Sequence, residues 1–193
     1  LRDPLFYLFM PALLAQPMLF TGFMFHQVHL VEAKGWSLEF WAGLYILYAL
    51  VSTVCKLGAG LLVDRYGAIR LAAFVCLPLG LGLVCLASAD SAVVAVLFMV
   101  LMAVSVGAYS TLSSPFYAEM YGSLHLGSIK SLATAAMVFS SAIAPVLMGW
   151  MIDAGVRMET MALACVAYVM LASASAWWAS KAKLRGYSRL PDC

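Results

Sequence analysis

The chain has 193 residues, 65% of them hydrophobic and 10% charged, with a formal net charge of +2. Soluble domains are nearer half apolar and a quarter charged, so this chain has too few polar groups to cover a water-exposed surface, and lipid is its expected solvent. The small net charge gives no electrostatic footing for a nucleic-acid partner, and five cysteines without a C-x-x-C pair give neither a disulfide framework nor a metal site.

A spanning helix takes about 20 mostly apolar residues. Six stretches meet that length: 5–30, 38–63, 68–88, 91–112, 128–152 and 158–180. The fold class is therefore an all-α membrane protein of six transmembrane helices. A bundle fills residues 1–180, and a basic tail fills 181–193. The first stretch begins after Arg2 and Asp3 and runs past residue 20 without a small-residue cleavage site, so it reads as a span and not as a signal peptide. No initiating Met is present, and the chain reads as part of something longer.

The breaks between spans carry turn chemistry. Lys34, Gly35, Trp36 and Ser37 separate the first two, and Asp64, Arg65, Tyr66 and Gly67 the next two. Asp90 and Ser91 make a tight hairpin between the third and fourth. Residues 113–127 form the longest connection, with Pro115 marking its start, and Asp153 and Gly155 close the fifth span. Gly60-x-x-x-Asp64 and Gly149-x-x-x-Asp153 end the second and fifth spans alike, as a three-plus-three inverted repeat would. Trp36, Trp41, Trp150, Trp177 and Trp178 fit interfacial belts.

Orientation follows Lys and Arg. Six spans put both chain ends on one side, which receives Arg2, Arg65, Arg70, Lys130, Lys181, Lys183, Arg185 and Arg189. The other side receives Lys34 and Arg157. Both termini are therefore expected in the cytoplasm.

The segment Gly60, Asp64, Arg65, Gly67, Arg70 resembles the loop signature of the major facilitator superfamily, G-x-x-x-D-R-x-G-x-x-R. Physically, Gly60 admits a close helix neighbour, Asp64 can cap the next helix or pair across the bundle, and Gly67 supplies a tight turn. Pro4, Leu5, Phe6 and Tyr7 resemble the start of the seventh helix of a twelve-helix transporter. Phe25 to Leu30 with Gly35, Trp36 and Ser37, and Tyr121 to Ile129, resemble bacterial members of the monocarboxylate and oxalate–formate branch. The resemblance covers nearly the whole chain but only half of the usual fold. It implies the C-terminal half of a secondary transporter in a bacterial inner membrane. Its partners would be an N-terminal six-helix half or a second copy, and a small organic anion, a monocarboxylate or similar, would be carried by alternating access.

Lys56 is the leading single site candidate. It lies about five residues from the middle of its helix, roughly 7–8 Å at 1.5 Å per residue, and a charge near the bilayer centre costs about 2.5–3.5 kcal/mol on insertion scales. By resemblance it stands where that branch carries a basic residue, usually Arg, four positions before the motif glycine, and would hold the substrate carboxylate. The competing reading is a snorkelling lysine. The branch's acidic residue one turn earlier is Ser52 here, which weakens the case for proton coupling. Tyr45, Tyr109 and Ser140 join Lys56 as candidate substrate-binding groups, since polar side chains within apolar spans either line a cavity or bond between helices. His26 and His29, spaced H-x-x-H, are candidates for a gate or a proton-responsive group. Two histidines leave a zinc site incomplete, and the bland alternative is interfacial histidines at a helix end.

No G-x-S-x-G nucleophile and no intramembrane Asp pair occurs, so an enzyme is not expected, nor any cofactor. The alternative function is a non-transporting membrane binding or assembly module, or a truncated transporter.

Overall fold

The computed structural model describes residues 3–124 and 126–187. Among them lie eight helices and no strand: α1 (Pro4–Phe25), α2 (Gln27–Ala33), α3 (Leu38–Tyr66), α4 (Ala68–Leu71), α5 (Leu77–Ser88), α6 (Ala92–Tyr121), α7 (Leu126–Asp153) and α8 (Met158–Tyr187). Five helices are long and apolar enough to cross a membrane: α1, α3, α6, α7 and the Met158–Arg185 part of α8.

Each end of a helix has a local cause. Asp3 caps α1 by accepting from the Leu5 N–H at 2.9 Å, and Pro4 fits the first turn, where its missing N–H costs nothing. Ser37 caps α3 by accepting from the Phe40 N–H at 3.2 Å. Gly67 ends α3 at φ 82°, a conformation that favours glycine.

Eight helices replace six because two expected spans are interrupted. The first breaks at His26, which takes φ −97° and ψ 23° between α1 and α2. The third breaks over residues 72–76, for which Pro78 is the physical reason. Proline has no N–H to offer the Phe74 carbonyl, so Leu77 donates to it instead at 3.1 Å, and Phe74 donates to Leu71 at 2.9 Å. The chain tightens into i to i−3 turns there. In lipid such a break survives only where protein covers it. Here Ala72, Ala73, Val75 and Cys76 are buried, the Ser105 hydroxyl donates to the Val75 carbonyl at 2.9 Å, and the Cys76 thiol donates to the Ala12 carbonyl at 3.1 Å.

Two other boundaries also move. The expected long connection 113–127 is mostly helix: α6 runs through Pro115 to Tyr121. The lost backbone bond is offset by packing, because Phe116, Tyr117 and Met120 are buried beyond the proline, and Phe116 sits 4.9 Å from the Phe9 ring. The expected tail from 181 begins as helix, since α8 continues to Tyr187. Arg2 and Arg189 lie outside the described residues.

α1, α5, α6 and α8 form the core. α3 packs mainly on α6, α7 mainly on α1, α5 on α6 and α8, and α8 on α1. One cluster, around Phe23, Leu30, Trp41, Leu83 and Phe98, fills the half nearer the α2–α3 connection. A second, around Phe9, Leu13, Ile69, Phe116 and Ala176, fills the other half. Trp41 is 2% exposed and stacks 5.6 Å from Trp36, so it belongs to the core and not to an interfacial belt. α3 and α7 flank this core, with only 11% of their most apolar stretches buried.

Candidate functional site

A cleft of about 200 Å³ opens between α1, α6 and α7. Leu13 and Leu14 of α1 give it an apolar wall, and Tyr109, Ser113, Ser114 and Tyr117 of α6 face Lys130, Thr134 and Met137 of α7. Lys130 sits one turn into α7 and donates to the Ser114 hydroxyl at 2.7 Å. Among the described residues, the cleft thus holds one cation and several hydroxyls, with no carboxylate in its lining. Such a lining is complementary to a small anion.

Of the expected substrate-binding residues, Tyr109 lies in this cleft, its hydroxyl 3.6 Å from the Met137 sulfur. Ser140 lies one turn further along α7, with its hydroxyl turned onto the Met137 carbonyl at 2.8 Å. Tyr45 is on α3, donating to the Gln27 side-chain oxygen at 2.6 Å, which also accepts from the Trp41 indole at 3.0 Å. Lys56 is exposed on α3. The Thr111 hydroxyl donates to its backbone carbonyl at 3.2 Å. At 100° per residue, Tyr45 and Lys56 fall about 20° apart around α3, so they share one stripe but not the cleft. Sequence reasoning placed Lys130 among the orientation charges and missed its place in the cleft. That place depends on how α7 docks on α6.

His26 occupies the α1–α2 break, and its Nε2 lies 2.8 Å from the Pro145 carbonyl. A carbonyl only accepts, so Nε2 is the donor. This bond links the break in α1–α2 to the proline turn of α7. His29 is exposed. The two histidines are not brought onto a common site, and among the described residues no group of three His, Cys, Asp or Glu side chains is placed to hold a metal.

The loop motif folds as a tight turn at Gly67. The N–H groups that open α4 are taken by Glu119 and not by Asp64: its carboxylate accepts from Ala68 at 2.7 Å and from Ile69 at 3.0 Å. Asp64, Arg65 and Arg70 are exposed, with the Arg65 guanidinium 5.4 Å from the Tyr66 ring centroid. Gly60 makes only an ordinary contact with Thr111, and the close helix approach falls at Gly107 instead.

At the opposite end, Lys34 has no exposed side-chain surface and donates to Asp90 at 2.5 Å and Glu159 at 2.8 Å. Arg157 joins Glu159 at 3.2 Å, and the Trp36 indole donates to the Asp90 carbonyl at 2.6 Å. One ammonium ties two connections to the first turn of α8. Burial acts to lower the Lys34 pKa, but the hydrogen bonds and charges of Asp90 and Glu159 outweigh it and raise the value above the usual lysine range. The sequence offered only a loop lysine here, since its two acidic partners are 56 and 125 residues away.

No protein family's sequence model, no curated protein and no solved structure matches this chain.

Proposed function

We propose that this chain is one six-helix half of an alternating-access transporter for a small organic anion, and that it works with a second six-helix unit. The observation that carries the reading is the α1–α6–α7 cleft, with its cation, its hydroxyls and, among the described residues, no carboxylate. Monocarboxylates are the first substrate class to test, on the strength of the loop motif and the position of Lys56.

Three further features support it. The segment from Ala68 to Ser88, counted across its break, has a sixth span's length of about 30 Å at 1.5 Å per residue. The helix partners are reciprocal: α1 packs on α7 as α6 packs on α3, and α1 packs on α8 as α6 packs on α5. This is the pattern expected of a three-plus-three inverted repeat. Arg65, Arg70, Lys130, Lys181, Lys183 and Arg185 share the end of the bundle opposite Lys34, which favours the cytoplasm for that end and for both termini.

The test is uptake of labelled small carboxylates into proteoliposomes holding this chain, alone and with a candidate partner half. Saturable uptake is expected, lowered at least tenfold by Lys130→Gln, with a separate loss in Lys56→Gln if the two cations act along one path. Uptake indifferent to both substitutions would sink the anion reading. Absence of uptake with every partner and carboxylate would favour a non-transporting assembly module.

A further inference from the structure

α3 carries a charge at mid-depth that no described residue of the chain answers. The helix has 29 residues, so its middle is Ser52, and Lys56 lies one turn, about 6 Å, beyond it. Its backbone is fixed against α6. A Cβ on Gly107 would lie 3.3 Å from the Lys56 N, and the Thr111 hydroxyl donates to the Lys56 carbonyl at 3.2 Å. The side chain is left exposed. Among the described residues Lys56 makes no ion pair, and it does not line the α1–α6–α7 cleft.

A charge at this depth is costly in lipid and faces a partner or a cavity. Lys56 stands on an open flank of α3. Exposed Ala49 and Thr53 and half-buried Gly60 lie within about 60° of it around the helix, and residues this small leave room for a second helix at close range. Leu50, Leu57 and Leu61 continue the flank as an exposed apolar face. A wholly apolar helix laid there would leave the ammonium unpaired. Charge complementarity therefore asks for a carboxylate on the helix that covers it.

A second copy of the chain cannot supply one at that depth. The chain has nine Asp and Glu residues. Those on the spanning helices fall in first or last turns: Glu39 and Asp64 on α3, Glu119 on α6, Asp153 on α7 and Glu159 on α8. Asp3, Glu32 and Asp90 fall outside the spanning helices, and Asp192 comes five residues after Tyr187, outside the described residues. Two copies packed α3 on α3 in the same orientation would set Lys56 against Lys56.

We propose that this flank of α3 is covered, in the assembled protein, by a spanning helix of different sequence belonging to the second six-helix unit, and that this helix carries a carboxylate level with Lys56 and paired with it. The inference rests on the two-unit reading and specifies the second unit.

The test places a photoreactive phenylalanine at Leu57, beside Lys56, and in a second variant at Phe139, exposed on α7. Both are crosslinked in the membranes of the cells that make the protein, and the crosslinked segment is read by mass spectrometry. The expected result at Leu57 is a spanning segment with Asp or Glu at the crosslinked level. Lys56→Met, or replacement of that carboxylate by its amide, should lower the yield roughly tenfold, the scale of a polar contact between spanning helices. Exchanging the charges, Lys56→Asp with Lys on the partner, should restore it, which guards against a variant that merely folds poorly. Crosslinking at Leu57 to lipid alone, to a second copy of the chain, or to a segment without a carboxylate would overturn the proposal. So would a yield indifferent to Lys56→Met or not restored by the exchange. Protein at Phe139 with lipid at Leu57 sinks this inference alone, whereas lipid at both positions sinks the two-unit reading as well. No substrate enters the measurement, so failure of carboxylate uptake leaves these outcomes untouched.

Discussion

At the scale of single residues, two side chains hold more structure than their neighbours in sequence suggest. Lys34 joins two connections and the first turn of α8, and its cost of removal lies between that of an exposed ion pair and a buried one, because its own side chain is buried while Asp90 is largely exposed. Lys34→Met is expected to lose roughly 2 kcal/mol in thermal unfolding. The pH dependence has a definite sign. A lysine whose folded-state pKa is raised stabilises the fold fully below its ordinary value of 10.5, and that contribution fades as the pH rises through the folded-state value. The gap between the two proteins should therefore be constant near neutrality and close only at strongly alkaline pH. A gap unchanged there would remove the ion pairs as its cause. Glu119 is the second case. Glu119→Ala exposes the N–H groups of Ala68 and Ile69, and a loss of about 0.5–2 kcal/mol is expected, as for other helix caps. Hydrogen exchange should speed up at those two amides first. The motif Asp64 was the visible candidate for this role. Glu119, 51 residues from Ala68, could be recognised only after α6 was known to reach that end of the bundle.

At the scale of helices, proline and glycine set where the chain bends and how closely it packs. Pro78 and Pro115 are both visible in the sequence, yet they act in opposite ways. Pro78 breaks its span because the turns before it find partners in Ser105 and Cys76 chemistry that suits a bend. Pro115 leaves α6 intact because the buried aromatic residues beyond it keep the helix on course. Propensity alone cannot separate these outcomes, since tertiary contacts override it. Gly107 marks the tightest approach of α6 to α3: a Cβ there would lie 2.7 Å from the Ser52 carbonyl oxygen and 2.8 Å from the Cys55 Cβ. Gly107→Val should force the two helices apart and lower stability by about 1–3 kcal/mol. Gly43→Ala on α3, with no atom within 4 Å of the added Cβ, should be neutral or slightly stabilising. Equal melting of both variants would show that the α3–α6 seam yields more readily than its geometry implies.

At the scale of the whole molecule, the flanking position of α3 and α7 is the dominant fact. Their outward faces include Leu50, Val54, Leu57 and Leu61 on α3, and Val138, Phe139, Val146 and Leu147 on α7, all exposed. If these faces meet a second six-helix unit, light scattering of the purified protein with its detergent subtracted should give a mass above one 20.8 kDa chain. The mass should fall when cationic detergent disrupts helix association. A single 20.8 kDa chain that carries out saturable uptake by itself would instead make α3 and α7 lipid-facing and dispense with a partner.

The sequence by itself determined the solvent and the helical class, because 65% apolar composition and runs of about 20 apolar residues leave lipid-embedded helices as the only way to satisfy the backbone. It also determined the segregation of Lys and Arg, since the order of turns assigns each to one end. It placed Tyr109 among the polar groups of the spans and left open whether that tyrosine lined a cavity. Only the tertiary structure decided that Lys130, Ser114 and Thr134 meet Tyr109 in one cleft, that Glu119 caps α4, and that Lys34 reaches Asp90 and Glu159. Each of these meetings joins residues far apart in the chain, on helices whose rotation is fixed by packing against neighbours. A hydrophobic pattern with almost no amphipathic contrast carries no record of that rotation.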